Sequence, residues 1–325
     1  MTTKEKLLAL LEDSKGTFFS GEEIARTLQV SRAAVWKAVN ALREDGYTID
    51  AATNKGYRLS PDSDILSPQG IRRFLKPEYR DLDLTVLPTA PSTNALVREK
   101  ANQGRPEGCV IIACEQTDGR GRYGRQFFSP VDSGVYLSPT CLTAAAAAAM
   151  CQAIEAVTGQ QPGIKWVNDI FLHGKKVCGI LTEAAVGLET EAAVGLETGT
   201  LNYMVLGAGL NLYPPAEGFP EEIQSIAGSV LERSCPEAKN RLVGEFLNRF
   251  WDFYTHPECR TYLEDYRARS LAIGRNVTVL SNGQAVSAYA YGIDDDFRLL
   301  VRYDSGKTEA LSYGEIRIQL DESAP

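Results

Sequence analysis

The sequence predicts a multidomain α+β protein: an N-terminal winged helix-turn-helix, a central α/β domain with a mixed sheet, and a small C-terminal β-barrel. Three observations point there. Helical periodicity dominates residues 1–60. A connector of prolines and small polar residues follows, Ser60-Pro61-Asp62-Ser63-Asp64 and then Ser67-Pro68. Beyond Gly274 only short alternating runs with tight turns remain. A chain of 325 residues is long enough for about two to three ordinary domains, and these signals place them at 1–62, 63–272 and 273–325.

Composition narrows the function classes. The chain is 44% hydrophobic and 23% charged, ordinary globular usage that excludes wholesale disorder. Its net charge of −8 excludes a basic coat for nucleic acid over the whole surface. The charge is uneven: residues 1–60 carry 9 basic and 8 acidic side chains, the remainder 25 and 34. DNA binding is therefore permitted only locally. The apolar run from Leu7 to Leu11 stops at Glu12, too short for a signal peptide, and the uncharged stretch 133–154 is mostly alanine and polar residues with Pro139 inside it. Neither a secreted protein nor a membrane partner is expected. Seven cysteines without a C-x-x-C pair, and only His173 and His256, read as reduced thiols in a cytoplasmic protein without a zinc site.

In the head, residues 4–13 form an amphipathic helix with Leu7, Leu8, Leu10 and Leu11 on or beside its buried face. Ser20-Gly21-Glu22-Glu23 has the form of a capping box and starts a second helix holding Ile24, Ala25 and Leu28. After a turn at Gln29-Val30, Ser31 caps a third helix over 32–44, on which Val35, Val39 and Leu42 face inward. Arg32, Ala33, Trp36, Lys37, Asn40 and Arg43 are left outside. Such side chains, with Ser31 at the helix start, suit base edges and flanking phosphates in a major groove. Residues 46–49 and 56–59 pair as a wing with Lys55 near its tip. The alternative is a three-helix packing module with a solvated charged face; the recognition-helix spacing and the wing together favour DNA.

The densest chemistry lies in the body. Gly119-Arg120-Gly121-Arg122-Tyr123-Gly124-Arg125 interleaves glycines, which let backbone approach an anion, with guanidinium forks for phosphate or carboxylate. Taken alone it also reads as an Arg-Gly segment for RNA or as a solvated loop. Lys165-Trp166-Val167-Asn168-Asp169 brings a cation and a carboxylate to the ends of neighbouring short strands. Asp169 suits Mg²⁺, which takes one or two carboxylates plus substrate phosphates. After a turn at His173-Gly174, Lys176 enters a strand over 177–185. Gly207-Ala208-Gly209-Leu210-Asn211-Leu212 ends another strand, its small residues leaving room for a ligand and Asn211 offering an amide. Ser92-Thr93-Asn94 precedes a helix over 95–101 and reads either as an N-cap or as the polar rim of a pocket.

Two features carry no chemistry in this reading. The alanine run 144–149 is expected in a helix packed closely on a sheet. The octapeptide EAAVGLET occurs twice in tandem, at 183–190 and 191–198, and reads as a duplication lengthening a hairpin loop. In the tail, strands are expected at 276–280, 285–290, 299–303 and 316–320, with Asn282-Gly283 as a hairpin turn.

These segments resemble, in order and across almost the whole chain, the bifunctional biotin–protein ligases that also repress the biotin operon. The match rests on SGEEIARTLQVSRAAVWKAVNALREDGYTID, GYRL, STN, GRGRYGRQF, KWVNDI, KKVCGIL, GAGLNL and YGEIRI. The chain departs from the family at Val167, where proline is usual, at Phe127, where tryptophan is usual, and at Tyr123, often a basic residue.

The resemblance implies a class II synthetase-like ligase domain and an SH3-like tail. It implies that biotin and MgATP form biotinyl-5′-AMP, and that a lysine of the biotin carboxyl carrier domain of acetyl-CoA carboxylase then takes the biotin. By motif, Ser92, Thr93, Asn94, Gln116, Gly119, Arg120, Gly121, Arg122, Lys176 and Gly179 would hold biotin. Arg122, Arg125, Lys165, Asn168, Asp169 and Asn211 would serve ATP, with Asp169 on Mg²⁺ and Arg122, Lys165 and Lys176 catalytic. Ser31, Arg32, Ala33, Trp36, Lys37 and Asn40 would read the biotin operator, with biotinyl-5′-AMP as corepressor and a homodimer forming when it is bound. A lipoate-type ligase, or a ligand-sensing regulator without ligase activity, remain the alternatives.

Overall fold

In the computed structural model, the described residues are 1–121, 134–138, 143–187, 200–256, 261–281, 284–312 and 315–318. The chain divides into two compact units, residues 1–80 with 233–245, and residues 81–232 with 246–325.

The first unit opens with α1 (Thr3–Asp13), α2 (Gly21–Leu28) and α3 (Arg32–Glu44), followed by β1 (Ile49–Ala52) and β2 (Gly56–Leu59) paired antiparallel. The expected capping box at Ser20 is present in its first half, the hydroxyl accepting from Glu23 N–H. A complete box stands instead at Thr2 and Glu5, ahead of α1. Leu7, Leu11, Ile24, Val35, Val39, Leu42 and Leu59 make one core, so the inward spacing on α3 is as expected. The first wing strand starts at Ile49 rather than Gly46. Gly56 holds φ +95°, and a Cβ there would fall 2.0 Å from the Phe19 carbonyl oxygen. Only glycine lets Tyr57 bridge to Phe19 as a short third edge of the wing.

Residues after the wing belong to the same unit. The short helix α4 (Pro68–Arg72) is capped by Ser67, whose N–H donates to Asn240 Oδ1 at 3.0 Å. Glu12, expected only as the end of an apolar run, is 1% exposed. Its Oε2 lies 3.3 Å from Arg73 Nη1 and 3.9 Å from Lys15 Nζ, while Oε1 has no hydrogen-bond partner among the described residues. Glu237 completes the cluster, pairing with Arg73 and Lys15. Burial raises the Glu12 pKa against the opposing pull of the two cations.

The second unit is built on a mixed seven-stranded sheet among the described residues. Its strands are β3 (Asp83–Ala90), β4 (Cys109–Gln116), β5 (Gly134–Ser138), β6 (Gly163–Lys165), β7 (Asp169–Leu172), β8 (Lys175–Gly187) and β9 (Thr200–Asn211), in the order β3-β4-β5-β9-β8-β7-β6. Only β3 and β4 are parallel, joined through α5 (Thr93–Asn102). The alanine run lies in α6 (Thr143–Thr158), and Ala146 to Ala149 are fully buried, as close packing requires. α7 (Glu221–Gln224), α8 (Ala238–Thr255) and α9 (Thr261–Ala268) follow. The octapeptide places its first five residues in β8; the rest lies outside the described residues.

The tail sheet runs β13-β12-β11-β10-β14, all antiparallel, from β10 (Arg275–Ser281), β11 (Gln284–Ile293), β12 (Leu299–Tyr303), β13 (Thr308–Leu311) and β14 (Glu315–Arg317). Strand β13 was not expected: its residues Thr308-Glu309-Ala310-Leu311 bury only the last side chain. The Asn282-Gly283 turn lies outside the described residues.

Candidate functional site

The parallel pair β3 and β4 ends with Ala90 opposite Gln116, which brings the start of α5 beside the end of β4. Ser92 is the N-cap of α5 but makes no side-chain capping bond. Gln116 does that work from the neighbouring strand: its Oε1 accepts from Thr93 N–H at 2.8 Å and from the Thr93 hydroxyl at 3.1 Å. Asn94, 7% exposed, donates Nδ2 to Glu183 Oε2 at 2.7 Å, and Arg98 Nη2 reaches Glu183 Oε1 at 2.5 Å. Sequence reasoning placed Glu183 and Arg98 in no site.

The Gly-Arg loop begins beyond Gln116. Thr117 and Asp118 hydrogen-bond back to the Ala90 and Pro91 carbonyls. Gly119 is buried, and Arg120 projects to solvent with Nη2 2.9 Å from Asp118 Oδ2, a bond that raises its pKa. Gly121 is the last described residue here; Arg122 and Arg125 lie outside the described residues, as do Tyr123 and Phe127.

Strands β6 and β7 are joined by the turn Trp166–Asn168, and Lys165 pairs with Asp169 across it. Register then carries Asp169 opposite Gly179 on β8, and Gly179 opposite Gly209 on β9. Two side chains are thus missing from the sheet next to the carboxylate. Lys176 Nζ sits 2.7 Å from Asp169 Oδ1, each side chain about a quarter to a third exposed. Lys165 Nζ lies 5.8 Å from the Phe171 ring centroid. Asn168 and Asn211 turn their amides to backbone, Asn168 Nδ2 donating to Ile180 O at 2.7 Å and Asn211 Nδ2 to Gly228 O at 3.1 Å. Burial keeps the Cys178 thiol protonated far above the ordinary range, so it is no nucleophile.

Two supports of this corner come from distant sequence. The edge of β8 pairs with residues 226–228, Lys176 N–H donating to Ile226 O and Gly228 N–H to Lys176 O. Trp166 Nε1 donates to the Phe297 carbonyl at 2.9 Å, and the buried Tyr266 hydroxyl donates to Val167 O at 2.9 Å. The Phe297 ring stacks on Tyr262 and meets Tyr266 edge-on. Among the described residues no group of three His, Cys, Asp or Glu could hold a metal ion, which leaves Asp169 as a single carboxylate.

On the head, Ser31 Oγ accepts from Ala34 N–H as a helix cap. Arg32, Ala33, Trp36 and Lys37 are exposed, Trp36 by 58%, and Asn40 is half-buried. Arg32, Ala33 and Trp36 face the wing residues Ala51 to Asn54 across a cleft of about 720 Å³.

Comparison with known proteins agrees with this division of labour. A family described as an HTH domain matches residues 3–58, the biotin/lipoate A/B protein ligase family matches 86–197, and the biotin protein ligase C terminal domain matches 272–318. The bifunctional ligase/repressor BirA of Bacillus subtilis is 33% identical, covering 94% of this chain and 95% of that protein. BirA of Escherichia coli is 27% identical, covering 98% of both. A biotin protein ligase of Aquifex aeolicus solved with biotin and ATP covers 72% of this chain and 97% of its own, at 21% identity and a TM-score of 0.55, a likeness of fold. The chain belongs to the family of bifunctional biotin ligase/repressor proteins.

Proposed function

We infer that this protein activates biotin with ATP, transfers it to a carrier protein, and represses transcription in response to the same ligand. The observation that carries both activities is the Lys176–Asp169 corner and an exposed recognition helix in one chain that matches bifunctional relatives along 94% of its length. The match at 272–318 favours biotin over lipoate, and the retained Lys165, Asp169 and Lys176 favour an enzyme over a sensor.

In the first step a biotin carboxylate oxygen attacks the α-phosphorus of ATP, and the bond to pyrophosphate breaks. In the second, the ε-amine of a carrier lysine attacks the acyl carbon, and AMP leaves as the amide forms. The carrier is the biotin carboxyl carrier domain of acetyl-CoA carboxylase. Ser92, Thr93, Asn94, Gln116, Gly119, Arg120, Gly121 and Gly179 surround biotin. Lys176, Arg122 and Lys165 place positive charge where negative charge grows at the phosphorus. Arg125 contacts ATP, and Asn168 and Asn211 shape its side through the backbone they hold.

Asp169, one carboxylate beside the bare backbone of Gly179, would hold magnesium carried in by ATP. Such an ion would neutralise phosphate charge. With the adenylate bound, two copies pair and present two recognition helices to two operator half-sites. No helix among the described residues is long and apolar enough to cross a membrane, and the free thiols fit the cytoplasm.

Purified protein incubated with ATP, biotin and the carrier domain should raise the carrier's mass by one biotinyl group. A carrier left unmodified, or modified only when lipoate replaces biotin, would overturn this reading.

A further inference from the structure

We propose that Glu183 is a positioning residue for biotin: it fixes the first turn of α5 so that Ser92 and Thr93 face the ligand. The proposal rests on the ligase reading above and concerns a residue outside every motif that led to it.

The geometry is specific. Asn94 and Arg98 stand four apart on α5 and share one face. A single carboxylate on β8 grips both, one oxygen each, at 2.7 and 2.5 Å. Glu183 is itself fixed in the sheet, opposite Val205 on β9. The Asn94 carboxamide is wedged between that carboxylate and the backbone of Gly207, where a Cβ would come within 2.2 Å of Asn94 Oδ1. The carboxamide therefore has one place to go.

The start of α5 needs such an external hold. Its N-cap Ser92 contributes no capping bond, and helix N-termini carry unsatisfied N–H groups. The Thr93 N–H is met by Gln116 from β4, and the side-chain amide of the next residue, Asn94, is anchored by Glu183 from β8. Two strands thus hold the segment from two sides. Strand β8 also carries Lys176 and Gly179, so Glu183 ties the α5 part of the pocket to the strand of the reacting corner. A role in bulk stability is a weaker account. The Arg98–Glu183 pair is 40% and 31% exposed, and ion pairs open to solvent add little to stability. Accurate placement of a binding group, by contrast, depends on locked supporting bonds.

Pyrophosphate–ATP exchange on the full chain, titrated separately with biotin and with ATP, tests this. Glu183→Ala should raise KM for biotin at least tenfold while KM for ATP and kcat change less than threefold. Glu183→Gln, which keeps an acceptor for Asn94 but loses the charge, should recover most of the biotin affinity. Should Glu183→Ala not fold, Glu183→Gln must still show a smaller rise confined to biotin. An unchanged KM for biotin in a folded Glu183→Ala variant, or equal rises for biotin and ATP, would overturn the proposal. Wild-type protein inactive in the same assay would overturn the ligase reading instead.

Discussion

Lys176 and Asp169 hold one another at 2.7 Å across the β7–β8 edge. The cation that should meet developing phosphate charge is therefore parked on the carboxylate that should face the metal. On the proposed reading, a metal–phosphate group would give each a stronger partner and separate them.

Replacing the lysine makes the first prediction. Lys176→Ala should slow pyrophosphate–ATP exchange about 100- to 1000-fold, the usual loss when one donor to developing charge is removed. Asp169 then lacks its partner but remains partly exposed, so the fold should survive. Exchange at the wild-type rate would remove Lys176 from the chemistry.

Glu12 predicts a pH effect. Its pKa is raised above 4.5 by burial, with Lys15, Arg73 and Glu237 as the charged groups around it. The folded state then holds this proton more tightly than the unfolded state. The group's stabilising contribution is complete below the unfolded pKa and is lost as pH rises through the folded pKa. Glu12→Gln should match the wild type within about 1 kcal/mol at pH 7, and it should flatten the fall in stability above pH 4.5. Urea unfolding across that range measures it. A loss near the ~3–5 kcal/mol of a broken buried ion pair would show instead that the charged form is required.

Deleting one EAAVGLET copy should leave ligation intact, since a hairpin can shorten at little cost. Because the copies are identical and adjacent, removing either yields the same polypeptide, and Glu183 stays in place. Carrier biotinylation by the deletion protein decides the point; a folded but inactive product would place the remaining repeat residues in the site.

Operator binding should strengthen when the adenylate is present. One head with nine basic and eight acidic groups in residues 1–60 and a single recognition helix gives modest affinity. A ligand-favoured pair of copies would add a second half-site. Gel shifts on the organism's biotin-gene promoter, with and without biotin plus ATP, should differ. Equal shifts would leave a DNA-binding ligase without ligand control.

What could be read from sequence was local. The limits of α3 matched because Ser31 and the inward trio Val35, Val39 and Leu42 lie within one helix. The Lys165–Asp169 corner was legible because a turn of three residues separates its two charges. Contacts set by sheet order were not. Nothing near Glu183 shows that Asn94, 89 residues earlier, lies beside it. Glu12 looked like the polar end of an apolar run, since its neutralising partner Arg73 is 61 residues away. Ser92 had the form of an N-cap, yet the acceptor came from Gln116 on another strand. Strand β13 was missed because a thinly buried edge alternates too weakly to be seen.

The bond from Trp166 to Phe297 joins residues 131 positions apart, and that distance is also an interval in time. During translation, domains fold as they emerge, N-terminal parts first. Until the Phe297 turn is made, the Lys165–Asp169 hairpin lacks one of its anchors. The corner is therefore finished only by residues made long after its two charges.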